Sequence, residues 1–486
     1  MRTAGSTPLI AHLPIDRRSG VPLHRQVYDG LRNAILGGML RPGQRVPSTR
    51  SLAAELGMSR LPVLTAYDQL LHEGYLEGHT GSGTYVCAAP PDTRLAASAP
   101  QRLVARPGRK APNARRVAPG RDEGGIRPFR MSLPALDEFP LTLWNRIVAR
   151  HSHRMSPSQM AYGDPAGIGA LRDAIAEHLR VARAVRCEAE QVLVTAGSQP
   201  GLRLCAAVLL EPGDRIAVEE PGYPGARAAF TAAGAELLTV PVDDEGIDVG
   251  ALASLRQRVR AVYVTPSHQY PLGASMTANR RLALLDWAAR HGAWIIEDDY
   301  DSEYRYVSRP LGALQGMDAR GRVVYVGTFS KVLFPALRVG YLVVPPALWD
   351  AFLDARDALD VFSPTLYQLA LAEFIRDGHF ARHLRRMRGV YLKRREALLA
   401  GIERYCADAL TVVNADAGLH VATLLTNGAH DATVLRRMRE EGLTAMSLSS
   451  CYIAPPRRQG LLLGFGGFDE RALSLAARTL GTILEG

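Results

Sequence analysis

Lysine is almost missing from this chain: three stand among 58 lysines and arginines in 486 residues, at positions 110, 331 and 393. Cysteine is sparse as well. Cys87, Cys187, Cys205, Cys406 and Cys451 lie far apart with no CxxC spacing, which argues against a disulfide framework or a zinc site and leaves buried free thiols as the expectation. No apolar run approaches the roughly 20 residues needed to span a bilayer. No N-terminal apolar stretch has the character of a signal peptide, so a soluble, cytoplasmic protein without a membrane partner is expected. What is abundant is core material: 47% of the residues are hydrophobic, enough at this length for two or more domains.

The net charge of +10 is unevenly placed. Residues 1–88 hold 9 Arg against 6 Asp and Glu, residues 89–130 hold 10 Lys and Arg against 3, and the remainder is balanced at 39 of each sign. A basic end on a neutral body points to a polyanion partner at that end. Residues 89–130, rich in Ala, Pro, Arg and Gly without apolar periodicity, read as a basic flexible linker. A flexible segment of that length spans roughly 30 to 40 Å.

From Pro22 to Val86 the pattern predicts three helices and a hairpin. In SLAAELGMSRLPVLTAYDQLLHEGY, Leu52 and Leu56 mark one helix and Gly57 breaks it. Ser59 can cap a second helix, which continues through Val63, Tyr67 and Leu70. EGYLEGHTGSGTYV follows as a wing, with Gly81 and Gly83 at a tight tip. Over PLHRQVYDGLRNAILGGMLRPGQRVPSTRSLAAELGMSR and the wing, the chain resembles the winged helix-turn-helix of GntR-type regulators. The resemblance implies a domain over residues 1–88 that binds double-stranded DNA through Arg45, Ser48, Arg50, Arg60, Thr80 and Gly83. Arginine suits phosphate or guanine, a serine hydroxyl suits phosphate, and wing glycines admit close backbone approach. Leu61 and Pro62 depart from the family, which often has a small residue and Thr there.

Beyond the linker, VLVTAG, RIAVEEP, AELLTVPV, AVYVTP, AWIIEDDY, VVYVGTFS and RVGYLVVP alternate with helical segments, the pattern of a mainly parallel sheet covered by helices. From about Phe352 the chain reads as a smaller α+β lobe. Lys331 alone of the three lysines follows directly on an apolar β run. A lysine there, in a chain that otherwise uses arginine, suits chemistry arginine cannot perform: forming an imine with an aldehyde. Such a lysine needs an acid for a pyridine nitrogen and a cradle for a phosphate. Asp298, 33 residues earlier at the end of WIIEDD, offers the acid, and Tyr300, on the same strand face, offers a bond to the ring oxygen. Arg338 is placed for the phosphate, and TAGSQPGL supplies a glycine turn at which Ser198, Gln199 and free N–H groups face an anion.

Singly these signals are weak, because a strand-end aspartate is an ordinary turn former and a lone arginine an ordinary surface residue. Together, and in this order, they resemble fold-type I aminotransferases over about residues 130–486, which implies pyridoxal 5'-phosphate as cofactor. By that resemblance Tyr223 in EEPGYPG stacks on the ring and His268 in TPSHQYPLG lies near the ring oxygen. Tyr162 in YGDPAGIGALRDAIAEHL reaches the phosphate of a neighbouring subunit, implying a head-to-tail homodimer. A GntR-type head, a basic linker and a body over residues 131–486 resemble the MocR family of regulators, in which the body is a sensor. The implied fold is α/β: a winged helix-turn-helix followed by a large mainly parallel domain and a smaller α+β lobe.

Aminotransferases hold a substrate α-carboxylate with an arginine near the C-terminus. In GLLLGFGGF the corresponding position falls on Leu462 or Leu463, and Arg457 and Arg458 lie on the far side of Gly460. Two readings follow: a ligand-gated DNA-binding regulator that senses pyridoxal phosphate or its adduct with an amino acid, as in the PdxR branch, and an active aminotransferase with an accessory DNA-binding domain. Domain order and the missing arginine favour the regulator, with the enzyme fold used as a sensor rather than a catalyst.

Overall fold

A computed structural model describes residues 13, 15–88, 125–307 and 312–485. The chain divides into two compact units, Met1–Arg109 and Lys110–Gly486. Most of the predicted linker, residues 89–124, lies outside the described residues.

The head has its own core. In α1 (Leu23–Leu36), Val27, Tyr28, Leu31, Ala34 and Ile35 form one buried stripe at helical spacing. Helix α2 (Thr49–Glu55) starts where Ser48 Oγ accepts from Ser51 N at 3.1 Å, and α3 (Arg60–His72) packs against it through Val63, Ala66, Tyr67 and Leu70. Ser59 occupies the capping position of α3, but its side chain makes no capping bond. Gly57, at φ +60°, allows the turn between α2 and α3. Strands β1 (Leu76–His79) and β2 (Gly83–Val86) pair antiparallel as the wing.

The body is built on an eight-stranded sheet. In chain order its strands are β3 (Val192–Thr195), β4 (Arg215–Glu220), β5 (Glu236–Asp243), β6 (Gly246–Ile247), β7 (Ala261–Val264), β8 (Trp294–Asp299), β9 (Val323–Thr328) and β10 (Gly340–Val343). They lie side by side as β3-β10-β9-β8-β7-β4-β5-β6. The stretch from β9 to β5 is parallel, while β10 runs antiparallel to both β9 and β3. Helices α5 (Ser198–Leu209) and α6 (Pro224–Ala232) cover one face, and α4 (Gly169–Arg183) and α7 (Ala278–His291) cover parts of the other. Side chains of β8 alternate accordingly: Ile296 packs with Leu202 and Val326, Ile295 with Leu284 and Trp287. Consecutive aspartates at its end, Asp298 and Asp299, therefore enter different surroundings.

Strands β11 (Leu410–Asn414), β12 (His420–Leu425), β13 (Met446–Ser447) and β14 (Gly460–Gly464) form an antiparallel sheet ordered β11-β12-β14-β13, packed on α8 (His379–Cys406) and α9 (Glu470–Glu485). Two details differ from the sequence reading. Phe129 is buried and Gly464 N donates to its carbonyl at 2.9 Å, so packed structure begins before residue 131. Phe352 is buried with Leu202 and Ile216 of the large domain rather than opening the smaller lobe. Helix α8 is rich in arginine: Arg382, Arg385, Arg386 and Arg388 are exposed, while Arg394 is buried, donating to Gly466 O at 2.6 Å and to Asp137 at 2.8 Å.

Candidate cofactor site and nucleic-acid interface

The turns that leave the carboxyl ends of the parallel strands carry most of the residues singled out for the cofactor, the usual location of ligands in such sheets. Asp298, at the end of β8, is half satisfied. Its Oδ2 accepts from Tyr263 Oη at 2.7 Å, whereas Oδ1 is buried without a partner among the described residues. Burial pushes this carboxyl up to about 7, against the lowering effect of the Tyr263 hydrogen bond. A buried acceptor of this kind gains a charge-assisted bond from a cationic N–H, which a protonated pyridine supplies. Next to it, Asp299 is ion-paired: its Oδ2 takes Arg183 Nε at 2.8 Å and Tyr325 Oη at 2.6 Å, its Oδ1 is buried without a partner among the described residues, and its carboxyl is held low by Arg183 despite burial.

A phosphate-sized cradle lies at the start of α5. Gly197 precedes the helix at φ +113° with no side-chain cap, leaving first-turn N–H groups at Ser198 and Gln199. The Arg338 guanidinium lies against this glycine: a methyl group there would stand 3.1 Å from Nη2 and 3.2 Å from Nη1. Arg338 itself sits at φ +53°, in the left-handed region, and is exposed. The side-chain amide of Gln199 is used differently from the sequence reading, donating to Tyr223 Oη at 3.2 Å, so its backbone N–H is what remains for an anion. Tyr223 packs edge-on against Tyr270 at 5.2 Å.

Lys331 follows β9, with Nζ 3.4 Å from Ser132 O. Burial pulls its ammonium down to about 8, opposed by Asp301 and Asp298, so a useful fraction is neutral near physiological pH. His268 and Tyr300 are brought together: His268 Nδ1 lies 2.9 Å from Asp301 Oδ1 and 3.0 Å from Tyr300 Oη. One ring nitrogen holds at most one proton. If it points at the buried Asp301, the Tyr300 hydroxyl keeps its own proton for another acceptor such as a ring oxygen. A bare Nδ1 would take the Tyr300 proton and leave the Asp301 carboxylate without that donor, the costlier arrangement. The smaller lobe closes on this pair, since a methyl group at Gly418 (φ +77°) would collide with both His268 and Asp301. Burial also takes His420, whose ring lies 5.3 Å from His268, down to about 4, keeping it neutral.

Tyr162 stands apart. It is 88% exposed, and its ring contact is Phe362. Residues missed by the sequence reading are Tyr263, Asp301, Tyr270 and Arg227. Of Leu462 and Leu463, Leu463 points into the core beneath the smaller lobe. Leu462 joins an apolar wall with Met131, Tyr270, Leu272, Met446 and Leu448, against which Tyr223 and Tyr300 pack. Arg457 and Arg458 are exposed. The buried guanidinium that borders this wall is Arg227, which donates to Gly222 O at 2.7 Å and keeps a buried Nε without a partner among the described residues. Burial lowers its pKa, with Glu220, Cys451 and Tyr270 opposing.

In the head, Arg45, Ser48, Arg50, Arg60, Thr80 and Gly83 are all exposed. They fall into two groups. Arg45 bridges to Tyr85 and lays its guanidinium against Gly83, joining the chain before α2 to the wing. Arg60 Nε donates to Thr49 Oγ1 at 3.0 Å, tying the start of α3 to the start of α2, beside Ser48 and Arg50. Thr80 stands at the wing tip.

Comparison with known proteins agrees with both halves. The chain matches the family of bacterial regulatory proteins, gntR family, over residues 23–86, and aminotransferase class I and II over residues 137–460. It is 42% identical over 463 residues to a probable rhizopine catabolism regulatory protein, MocR, of Rhizobium meliloti, covering 95% of this chain and 93% of that protein. It is 35% identical over 467 residues to the HTH-type pyridoxine biosynthesis transcriptional regulator PdxR of Corynebacterium glutamicum, covering 96% and 97%. Among solved structures, the α-aminoadipate aminotransferase LysN of Thermus thermophilus, complexed with N-(5'-phosphopyridoxyl)-L-leucine, matches with a TM-score of 0.70 at 30% identity, covering 74% of this chain and 92% of LysN. A winged DNA-binding head and an aminotransferase-like body in one chain, matched nearly end to end by regulators of the same build, mean that the protein belongs to the MocR family of GntR-type transcription regulators.

Proposed function

We propose that this regulator senses pyridoxal 5'-phosphate, held covalently on Lys331, and that occupancy of the body changes the affinity of the head for its DNA. The observation that carries this reading is Asp298, a buried carboxyl with an unpartnered Oδ1 and, unlike Asp299, no arginine paired with it among the described residues, whose chemical complement is the N–H of a protonated pyridine. The other residues fit the same group. Arg338 with the Gly197–Gln199 turn would hold its phosphate, Tyr300 its ring oxygen and Tyr223 a face of its ring, while the lowered pKa of Lys331 favours attack on its aldehyde. When bound, the cofactor supplies an electron-withdrawing aldehyde and a dianionic phosphate. The chain's own part is to orient both and to keep the lysine partly neutral.

The Leu462 wall favours sensing of the cofactor over transamination, because it places apolar side chains where a substrate carboxylate needs a cation. Tyr162, exposed to 88%, is available to complete the phosphate site of a second copy, so the working unit is a head-to-tail homodimer acting in the cytoplasm on double-stranded DNA. Among the described residues no helix is long and apolar enough to cross a membrane. Borohydride reduction of protein incubated with pyridoxal phosphate, followed by peptide mapping, tests the cofactor assignment. A fixed adduct on Lys331 supports it, and an adduct on Lys110 or Lys393 alone contradicts it. Incubating the loaded protein with a panel of amino acids tests the enzyme reading, which requires conversion of the bound cofactor to its amine form.

A further inference from the structure

Helix α3 carries apolar side chains where the fold of the head has no use for them. Its buried side is Val63, Ala66, Tyr67 and Leu70. At 100° per residue Leu61 projects almost directly away from that side, with Thr65 one turn further along and Leu64 beside them. Leu61 is 70% exposed and Leu64 is 37% exposed. Thr65 adds to the same surface, because its hydroxyl is turned back to donate to Leu61 O at 3.1 Å, leaving the methyl group to face outward. The outer face of the first two turns of α3 is therefore apolar. At its N-terminal edge stand Arg60 and, at the start of α2 to which Arg60 bonds, Arg50 and Ser48, while the exposed Asp68 lies on the same face one turn beyond Leu64.

An apolar patch with a cationic rim at the helix start has a specific chemical complement. Phosphates flanking a major groove match the arginines, and the apolar feature on the groove floor is the C5-methyl group of thymine. A protein partner with an apolar patch would match the leucines but gain nothing from the rim. We infer that Leu61, assisted by Leu64 and Thr65, reads thymine methyl groups, so that the head selects sites with thymine where the start of α3 enters the groove. This rests on α3 being the groove-entering helix of a DNA-reading head. It adds a selectivity that the arginines and the serine do not supply.

The test uses the full-length protein and a pool of random-sequence duplexes, from which bound sites are selected. In a selected duplex each thymine is then replaced singly by deoxyuridine, which pairs identically and lacks only the methyl group. Binding should weaken about fourfold at one or more positions, the worth of one buried methyl group. Leu61→Ala should bind the thymine duplex more weakly and no longer distinguish it from the uracil duplex at such a position. Because Leu61 is outside the core, the melting temperature of this variant should be unchanged, which separates a weakened DNA interface from a damaged fold. Wild-type binding indifferent to every replacement would overturn the inference, as would a Leu61→Ala variant that keeps the full discrimination. So would unchanged DNA binding by that variant together with abolished self-association, which would assign the patch to a protein interface. Failure to select any sequence would strike at the DNA-reading role of α3 itself, whereas selective binding blind to the methyl group strikes only at the role of Leu61.

Discussion

In the head, the residues placed against DNA stand exposed and meet one another through few contacts, such as Arg60 with Thr49 and Arg45 with Gly83. In the body, the residues placed around the cofactor are mostly withdrawn from water and share partners: Asp298 with Tyr263, Gln199 with Tyr223, and His268 with both Asp301 and Tyr300. Independent exposed contacts contribute nearly additively, while buried groups in one network do not. The head should thus tolerate substitution one residue at a time, and the body should respond as a unit. The aspartate pair shows the same contrast over a single residue. Asp299 is ion-paired with Arg183 and belongs to the framework, whereas the partner of Asp298 is the neutral Tyr263 hydroxyl, which leaves its carboxyl to meet a cation.

The largest effect that sharpens this contrast is expected from Lys331→Ala. It should abolish borohydride-fixed cofactor while leaving the DNA affinity of unloaded protein unchanged, since head and body have separate cores. An adduct surviving in the variant would break the assignment. Next in size, Asp298→Asn should weaken cofactor binding by roughly tenfold to a hundredfold, the worth of a hydrogen bond to a charged group, as read by absorbance titration. Undiminished affinity would mean that Oδ1 is an idle orphan.

Removing Arg50 and Arg60 together should weaken DNA binding and flatten its salt dependence by about 0.9 in log–log slope for each phosphate no longer neutralised. Additivity of the single variants is part of the expectation, and strong coupling between them would break the contrast with the body. The smallest effect concerns protons. Lys331 attacks an aldehyde only when neutral, so covalent loading should quicken as pH rises through about 8. Asp301 and Asp298 hold that value up, and burial draws it down. Asp301→Asn removes one of the raising charges and should move the inflection to lower pH, measured by stopped-flow absorbance. Movement to higher pH would contradict the arrangement of charges around the lysine.

Where local pattern decides structure, the sequence was a good guide. Each apolar run from VLVTAG to RVGYLVVP became a strand of the large sheet, and the spacing of Leu52, Leu56, Val63, Tyr67 and Leu70 became two packed helices. Scarcity also helped, because a chain with three lysines draws the eye to the one after β9. What stayed hidden depends on partners distant in sequence. Tyr263 matters because β7 lies beside β8, and Asp301 because the chain leaves the strand after Asp299 and turns its carboxylate toward His268. Arg394 is one arginine among several on α8, and only the packing of that helix places it under Gly466 O. Alternation along β14 separates Leu462 from Leu463, which the run GLLLG cannot do without knowing which face meets Tyr270.

The central claim is that occupancy of the body by the cofactor is the signal the head reports. Coupling of that kind requires the ligand to bind one arrangement of the protein better than another. The most direct measurement titrates a selected DNA duplex with cofactor-free protein, with protein loaded with pyridoxal phosphate, and with loaded protein plus amino acids. Loading alone should shift DNA affinity at least about fivefold, the lower end of ordinary coupling between sites, and amino acids should add little against the Leu462 wall. A strong response to one amino acid with none to the cofactor alone would contradict the account and direct attention to Arg227 as the group that holds a carboxylate.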